Sequence, residues 1–255
     1  MKRFTVYSLV LFSFAALMVL TSARAFAIDG VVLINQNTSV SGLPGCGSSV
    51  PIVICNPGSY RLPSNLTITG NTDAIVINAD NVTLDLNGFI ILGPGTCTGF
   101  PVSSCTGQGI GIVSIGSDVS VLNGSVVGFS FGISLEGLGG LVERVHATFN
   151  GSSIFGDGIF VSSGIVRLST ATSNFFGIVV NDEGIAESNT ARGNATGIVV
   201  NRGSAIGNVL LGNTKGLSLL QTTYGSNSLQ NNGTNVFNGG GATSQNNNNC
   251  DGSVC

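Results

Sequence analysis

The chain has no tryptophan, one histidine and two methionines among 255 residues, and only 8% of it is charged. So little charge excludes a coiled coil and a surface laced with ion pairs, which both draw heavily on Glu, Lys and Arg. Nine Lys and Arg leave no basic stripe for a phosphate backbone, so nucleic acid is not an expected partner. Aromatic residues amount to 7% and include only three tyrosines, so Trp and Tyr platforms for sugar rings are scarce. One histidine and no Cys-x-x-Cys give no ligand set for zinc; neither metal nor cofactor is expected. Glycine, by contrast, is abundant at 38 residues, and an apolar share of 42% argues against global disorder.

The N-terminus reads as an export signal. Lys2 and Arg3 precede a largely apolar run from Phe4 to Leu20, and Ala25-Phe26-Ala27 follows as a small-x-small processing site. Ala23-Arg24-Ala25 competes with it, and an uncleaved membrane anchor is the rival reading, since the run is near spanning length. Cleavage after Ala27 removes Lys2, Arg3 and Arg24 but no acid, leaving six basic and 12 acidic residues, a net charge of -6. No later stretch is long and apolar enough to span a bilayer. The segment 1–27 is therefore expected to be a signal peptide of a protein in the periplasm, on the cell surface or outside the cell.

Six cysteines fall in three close pairs, Cys46/Cys55, Cys97/Cys105 and Cys250/Cys255. Six thiols allow 15 connectivities. Pairing between neighbours is favoured because each pair brackets a Gly/Ser/Pro-rich loop and export implies an oxidising compartment. Rings this small fix loops and ends more than they stabilise the whole.

The strongest signal is a repeat. Gly158-Ile159-Phe160-Val161, Gly177-Ile178-Val179-Val180, Gly197-Ile198-Val199-Val200 and Gly216-Leu217-Ser218-Leu219 begin 19, 20 and 19 residues apart. Asn174, Asn194, Asn213 and Asn232 keep pace with them, and Asn189, Asn208 and Asn227 form a second series in phase. Two series at one period mean a solenoid. Alternation within each strand points Ile159/Val161, Ile178/Val180, Ile198/Val200 and Leu217/Leu219 inward, and Ala171, Ala191, Leu210 and Leu229 share another inner slot. The opening glycines suit positive φ or a close backbone approach. The asparagines suit turns where each amide donates to the carbonyl of the next copy.

Gly, Asn and β-branched residues exclude helical repeats, and the Leu-x-x-Leu-x-Leu frame of leucine-rich repeats is absent. Periods of 19 and 20 are not multiples of six, which sets aside the left-handed hexapeptide helix. A single-stranded right-handed parallel β-helix of about seven or eight coils remains, spanning 28–238. Further strands are expected in Ala74 to Asn78, Asn81 to Phe89, Gly109 to Ile115, Val119 to Val127 and Phe131 to Leu135. The Cys97–Cys105 loop and Gly151-Ser152-Ser153 are expected to bulge from the coil as insertions. Residues 239–255 are expected to be an irregular tail closed by the Cys250/Cys255 ring.

Ser59-Tyr60-Arg61-Leu62 with Ser64-Asn65-Leu66-Thr67-Ile68, then Ala74 to Phe89, resembles the opening coils of bacterial β-helix repeat proteins of the pectin-lyase-like group. The Gly-Ile-x-Val coils resemble that group's repeats over most of the mature chain. The group includes pectin and pectate lyases, polygalacturonases and alginate-modifying enzymes, so the resemblance implies a fold and leaves activity open. Polygalacturonase-like sites combine Asn-Thr-Asp, an Asp pair, Gly-His-Gly and a basic clamp. Asn71-Thr72-Asp73 spells the first element, and no Asp-Asp or His-Gly follows. Pectate-lyase-like sites need clustered calcium-binding acids and a basic residue, and no three acids share a face here.

Most charges in the repeats have a structural explanation. Asp182 and Arg202 are 20 residues apart, as are Arg167 and Glu187, so each couple is expected to stack as an exposed ion pair. Glu183 and Arg192 are left over. Asp157, Asp182, Glu183 and Glu187 are the places to look for a hidden carboxylate site. His146 is expected to be a partly exposed strand residue rather than a general base. Phe160, Val179, Val199 and Ser218 point outward and form a mildly apolar stripe, either a platform for a ligand or a surface packed under the Gly151–Gly156 insertion.

The leading expectation is an exported, non-catalytic β-helix whose rigid face meets a polysaccharide or an envelope partner. The alternatives are a small polysaccharide lyase or hydrolase with a carboxylate site, and a structural or adhesive module that polymerises through its end coils. The ligand and the oligomeric state are not written in the sequence.

Overall fold

A computed structural model describes residues 30–255 except 48, 49 and 154. The expected signal peptide, 1–27, lies outside the described residues. The compact unit Val32–Cys255 is a right-handed parallel β-helix with three faces per coil. Its first face is a nine-stranded parallel sheet running from Ile52–Ile54 to Thr234–Asn238. The count exceeds the seven or eight coils expected, because the first and last rungs, Ile52–Ile54 and Thr234–Asn238, carry no copy of the Gly-Ile-x-Val signature. The other two faces form one continuous sheet, since Ser120–Val127 and Gly140–Thr148 run through the corner between them. Asn123 and Arg144, at φ 54° and 55°, make the bend inside those strands.

Register is strictly like over like. Ile75, Ile112, Ile133, Ile159, Ile178, Ile198 and Leu217 pair rung to rung in one column, all fully buried. Val161, Val180, Val200 and Leu219 form the companion column, and Ala171, Ala191, Leu210 and Leu229 stack across the third face. Every inward position read from the repeat is buried. A one-residue slip in any rung would turn its aliphatic set outward, so the hydrophobic pattern holds the register.

Both asparagine series are buried ladders. Asn194 shows the arrangement in full. Its Oδ1 accepts from the backbone N–H of Asn174 at 2.8 Å and from Asn174 Nδ2 at 3.2 Å. Its Nδ2 donates to the Ala171 carbonyl and to Asn213 Oδ1, each at 3.0 Å. Both donors and both acceptor lone pairs are used, so a polar column costs nothing in unmet hydrogen bonds. The first ladder runs from Asn150 through Asn232, and the second continues from Asn227 to Asn248. Ser169 heads the second, donating its N–H to Asn189 Oδ1 at 3.0 Å.

The ladder also explains the glycines that open the strands, though not by positive φ. A Cβ on Gly197 would stand 2.8 Å from the Gly216 carbonyl oxygen and 3.0 Å from Asn213 Nδ2. Close approach to the amide column requires glycine there; the φ is ordinary. Positive φ occurs instead at the corners, on glycines such as Gly193 and Gly212 and on other residues such as Ser173, Ser188, Arg202 and Ser226.

All three disulfides join neighbours: Cys46–Cys55, Cys97–Cys105 and Cys250–Cys255. The Cys97–Cys105 loop does not simply bulge. Cys97–Thr98, Ser104–Thr106 and Ser152–Ser153 form a small antiparallel sheet, so the two insertions pair with each other. The loop tip then folds back over a corner, where Val102 N–H donates to the Gly193 carbonyl at 2.9 Å. Phe100 fills the space above Gly193, where a Cβ would collide with its ring.

The tail is more regular than expected. Thr243–Ser244 and Asn249–Cys250 stack on the preceding rung, and Ser253–Val254 turns back antiparallel to close the edge. Asp251 accepts from Asn231 N–H and Asn235 Nδ2, which holds its carboxyl below the usual range. At the other end Ile34 and Leu43 close the core. No helix among the described residues is long and apolar enough to cross a membrane.

Asn194→Ala strips a partner from the Asn174 N–H, from Asn174 Nδ2 and from the Ala171 carbonyl. At about 1–3 kcal/mol per stranded group, it is expected to cost on the order of 4 kcal/mol. His146→Ala, on an exposed strand position, is expected to change stability by less than ~0.5 kcal/mol. Urea denaturation of the two variants checks the contrast.

Candidate functional site

The four acids singled out in the sequence do not converge. Asp182 and Glu183 sit exposed at the corner that ends the first face, Glu187 lies exposed on the second face, and Asp157 is buried at the start of the first. Among the described residues, no three His, Cys, Asp or Glu are grouped to hold a metal ion. Asp182 pairs with Arg202 as its 20-residue spacing predicts. Arg167 and Glu187 are register neighbours, but the arginine turns the other way. It reaches Glu143 on the preceding rung, with Nε 2.9 Å and Nη2 2.6 Å from Oε2. Glu143 is the better partner because it is nearly buried, and Arg144 contacts its other oxygen. A groove of about 330 Å³ lies over this cluster. Its charges already neutralise one another, which leaves little for a ligand to complete.

Two further sequence candidates lie apart from these acids. His146 is exposed in register between Ser125 and Thr170. Asp73 of Asn71-Thr72-Asp73 accepts the Ile110 N–H at 2.8 Å, so it caps a strand rather than facing a partner acid.

The first face carries two outward columns. Phe160, Val179, Val199 and Ser218 stack in register as part of a longer column. It runs Val53, Val76, Val113, Ser134, Phe160, Val179, Val199, Ser218 and Phe237 in continuous register. Beside it run Phe131, Asp157, Phe176, Thr196, Lys215 and Thr234, with Phe131 paired in turn to Ile110. Phe155 of the insertion leans on Phe131, with ring centroids 6.4 Å apart. The stripe beyond stays half-buried, and Phe237, 47% exposed, lies under the Lys215 ammonium.

Where the two columns meet the insertion, Ile110, Phe131, Ser134, Glu136, Asp157 and Phe160 line a cavity of about 220 Å³. Asp157 is 8% exposed, and no hydrogen bond or ion pair reaches its carboxyl among the described residues. Burial with nothing to offset it pushes this carboxyl up to about 7. Glu136, exposed on the rim, was not singled out in the sequence. It is a lone acid in a half of the chain where insertions break the period, so no repeat position marks it. Asp157 was marked only by its place at the mouth of the insertion.

No family model matches this chain and no curated protein is similar to it. Among solved structures it is similar to the Dettilon tailspike protein, with TM-score 0.54 and 15% identity over 86% of this chain. The chain spans about half of that protein, covering 55% of its length. Pectate lyase Pel9A matches at TM-score 0.39 and 16% identity, over 88% of this chain and 81% of that one. The tailspike likeness, with the register above, defines the fold: a right-handed parallel β-helix.

Two expectations follow. Arg202→Ala is expected to shift stability by less than about 1 kcal/mol, because its pair with Asp182 is solvent-exposed. Asp157 behaves oppositely. Its folded pKa lies above that of the unfolded chain, so its stabilising effect is present below about pH 4 and lost as pH rises to 7. Asp157→Asn is expected to flatten that fall and to raise stability above pH 7, by at most on the order of 4 kcal/mol. Thermal unfolding at pH 5 and pH 8 reads the difference.

Proposed function

We propose that this protein is an exported glycan-binding β-helix that holds a polysaccharide along its first face without cleaving it. The observation that carries the reading is the unbroken outward pair of columns. They form a flat parallel-sheet surface with phenylalanine rings, short hydroxyl side chains and few charges. Rings offer apolar C–H faces a stacking surface, and Ser218 and Thr234, on adjacent rungs, offer hydroxyls beside them. The rigid register keeps these groups in place, so a bound chain meets a preformed surface. Three disulfides suit the oxidising compartment that export implies. The dispersal of Asp157, Asp182, Glu183 and Glu187 and the capping duty of Asp73 favour binding over catalysis.

The test is retention of the purified protein on a panel of immobilised polysaccharides, with reducing ends and unsaturated product recorded in parallel. Retention on at least one neutral or cationic glycan, with no product, is expected. Val199→Glu, which puts a charge in the middle of the stripe, is expected to lower that retention at least tenfold. His146→Ala, on another face, should leave it unchanged. Released product that disappears in both Asp157→Asn and Glu136→Gln would replace the binding reading by a hydrolase with two carboxylates.

A further inference from the structure

We propose that the cavity beside Asp157 is a subsite for a protonated amine carried on a sugar ring. Asp157 and Glu136 would supply the countercharge, and Phe131 and Phe160 the walls. The amino-sugar assignment deepens the glycan-binding reading and rests on it; the affinity for a protonated amine does not.

The charge inventory leads to this ligand. Three acids of the coil are met by an arginine: Asp85 faces Arg61, Glu143 faces Arg144 and Arg167, and Asp182 faces Arg202. Among the described acids only Glu143 and Asp157 are buried; Glu143 is met by two arginines and Asp157 by none, although Asp157 stacks on Phe176 and shares its cavity with Phe131. The cavity lining contains no lysine, arginine or histidine, and Glu136 is its one other titratable group. Lys215, the cation in the same outward column, lies beyond Phe176 and Thr196 and is engaged over Phe237 at 4.7 Å. A buried charge is tolerated when a partner of opposite sign meets it. No group of the cavity lining supplies that partner, so a ligand that brings a cation would meet a carboxylate that nothing else neutralises.

The walls narrow the choice. Two phenylalanine rings beside two carboxylates attract an ammonium through both charge and ring quadrupole. An anionic sugar would be repelled by the same two carboxylates. A neutral sugar could use the Ser134 hydroxyl yet would leave Asp157 without its countercharge. The volume, about 220 Å³, falls below the usual range for drug-sized ligands and admits about one ring.

The experiment titrates the purified protein calorimetrically with a glucosamine tetrasaccharide and its fully N-acetylated counterpart at pH 6.5, where the sugar amines keep their protons, and with n-butylamine at pH 7.5. Binding of the glucosamine oligomer at least tenfold tighter than the acetylated one supports the proposal. So does a tenfold or greater loss in Asp157→Asn, whose unchanged or raised thermal stability shows that it folds. Glu136→Gln, on the exposed rim, is expected to lose about threefold. Butylamine affinity is expected to rise between pH 6 and pH 8 as Asp157 ionises, and to lose that rise in Asp157→Asn. Equal binding of the two oligomers, or full amine affinity in Asp157→Asn, overturns the amine site and leaves the glycan reading standing. Asp157-dependent butylamine binding without either oligomer supports the amine site and counts against the glycan reading. No binding of any of the three overturns the amine site; the polysaccharide panel then judges the glycan reading separately.

Discussion

Parallel strands stacked one spacing apart place every side chain against its counterpart on the next rung, and this constraint decides which residues each position can hold. An aliphatic column is stable because each member buries its neighbour. An amide column is stable because asparagine is both donor and acceptor, so identical copies complete one another, as Asn174, Asn194 and Asn213 do. A column of one charge is not, since like charges directly opposed repel. The charged positions obey this rule. Glu143, Arg167 and Glu187 alternate in sign up the second face, and Arg61 stands against Asp85. Ion pairs of this sort restrict register more than they stabilise it.

The same constraint explains what the sequence discloses. From Gly158 onward nothing interrupts the coil, so spatial columns become fixed intervals along the chain and both asparagine series can be read directly. In the first half the same column steps from Ile52 to Ile75, Ile112 and Ile133, intervals that no period describes. Asn150 belongs to the first ladder yet lies 24 residues before Asn174, because the insertion at 151–156 lengthens that coil. Ser169 heads the second ladder in step but as a serine, which the asparagine count passes over, and Asn248 ends it 21 residues after Asn227, outside the period. Counting coils by signature therefore fell short of the nine strands that the first face contains.

Contacts made by insertions obey no repeat. The arm closed by Cys97–Cys105 reaches across several rungs to place Phe100 over Gly193, with the ring 5.4 Å from the Arg192 guanidinium carbon. Arg192, unexplained by charge stacking, is held by an aromatic ring instead. A trace of this contact does exist in the sequence. The corner column that holds Ser173 and Asn231 holds glycine at 193 and 212, where the arm needs room.

Asp157 is the position where the column rule fails. Its rung neighbours are Phe131 and Phe176, and neither can neutralise a carboxylate or hydrogen-bond to it. Local propensity, packing and charge would all be better served by phenylalanine or threonine, which the same column uses at Phe176 and Thr196. A residue that breaks agreement among these levels while its surroundings keep to it is the mark of a site held for something other than folding. The cost also has a direction. It grows with ionisation and vanishes when a cation arrives, so the folded protein is raised in energy in the state that a positively charged ligand would relieve. At the amine site proposed above that cost would become selectivity, because only a ligand of the right sign would offset it.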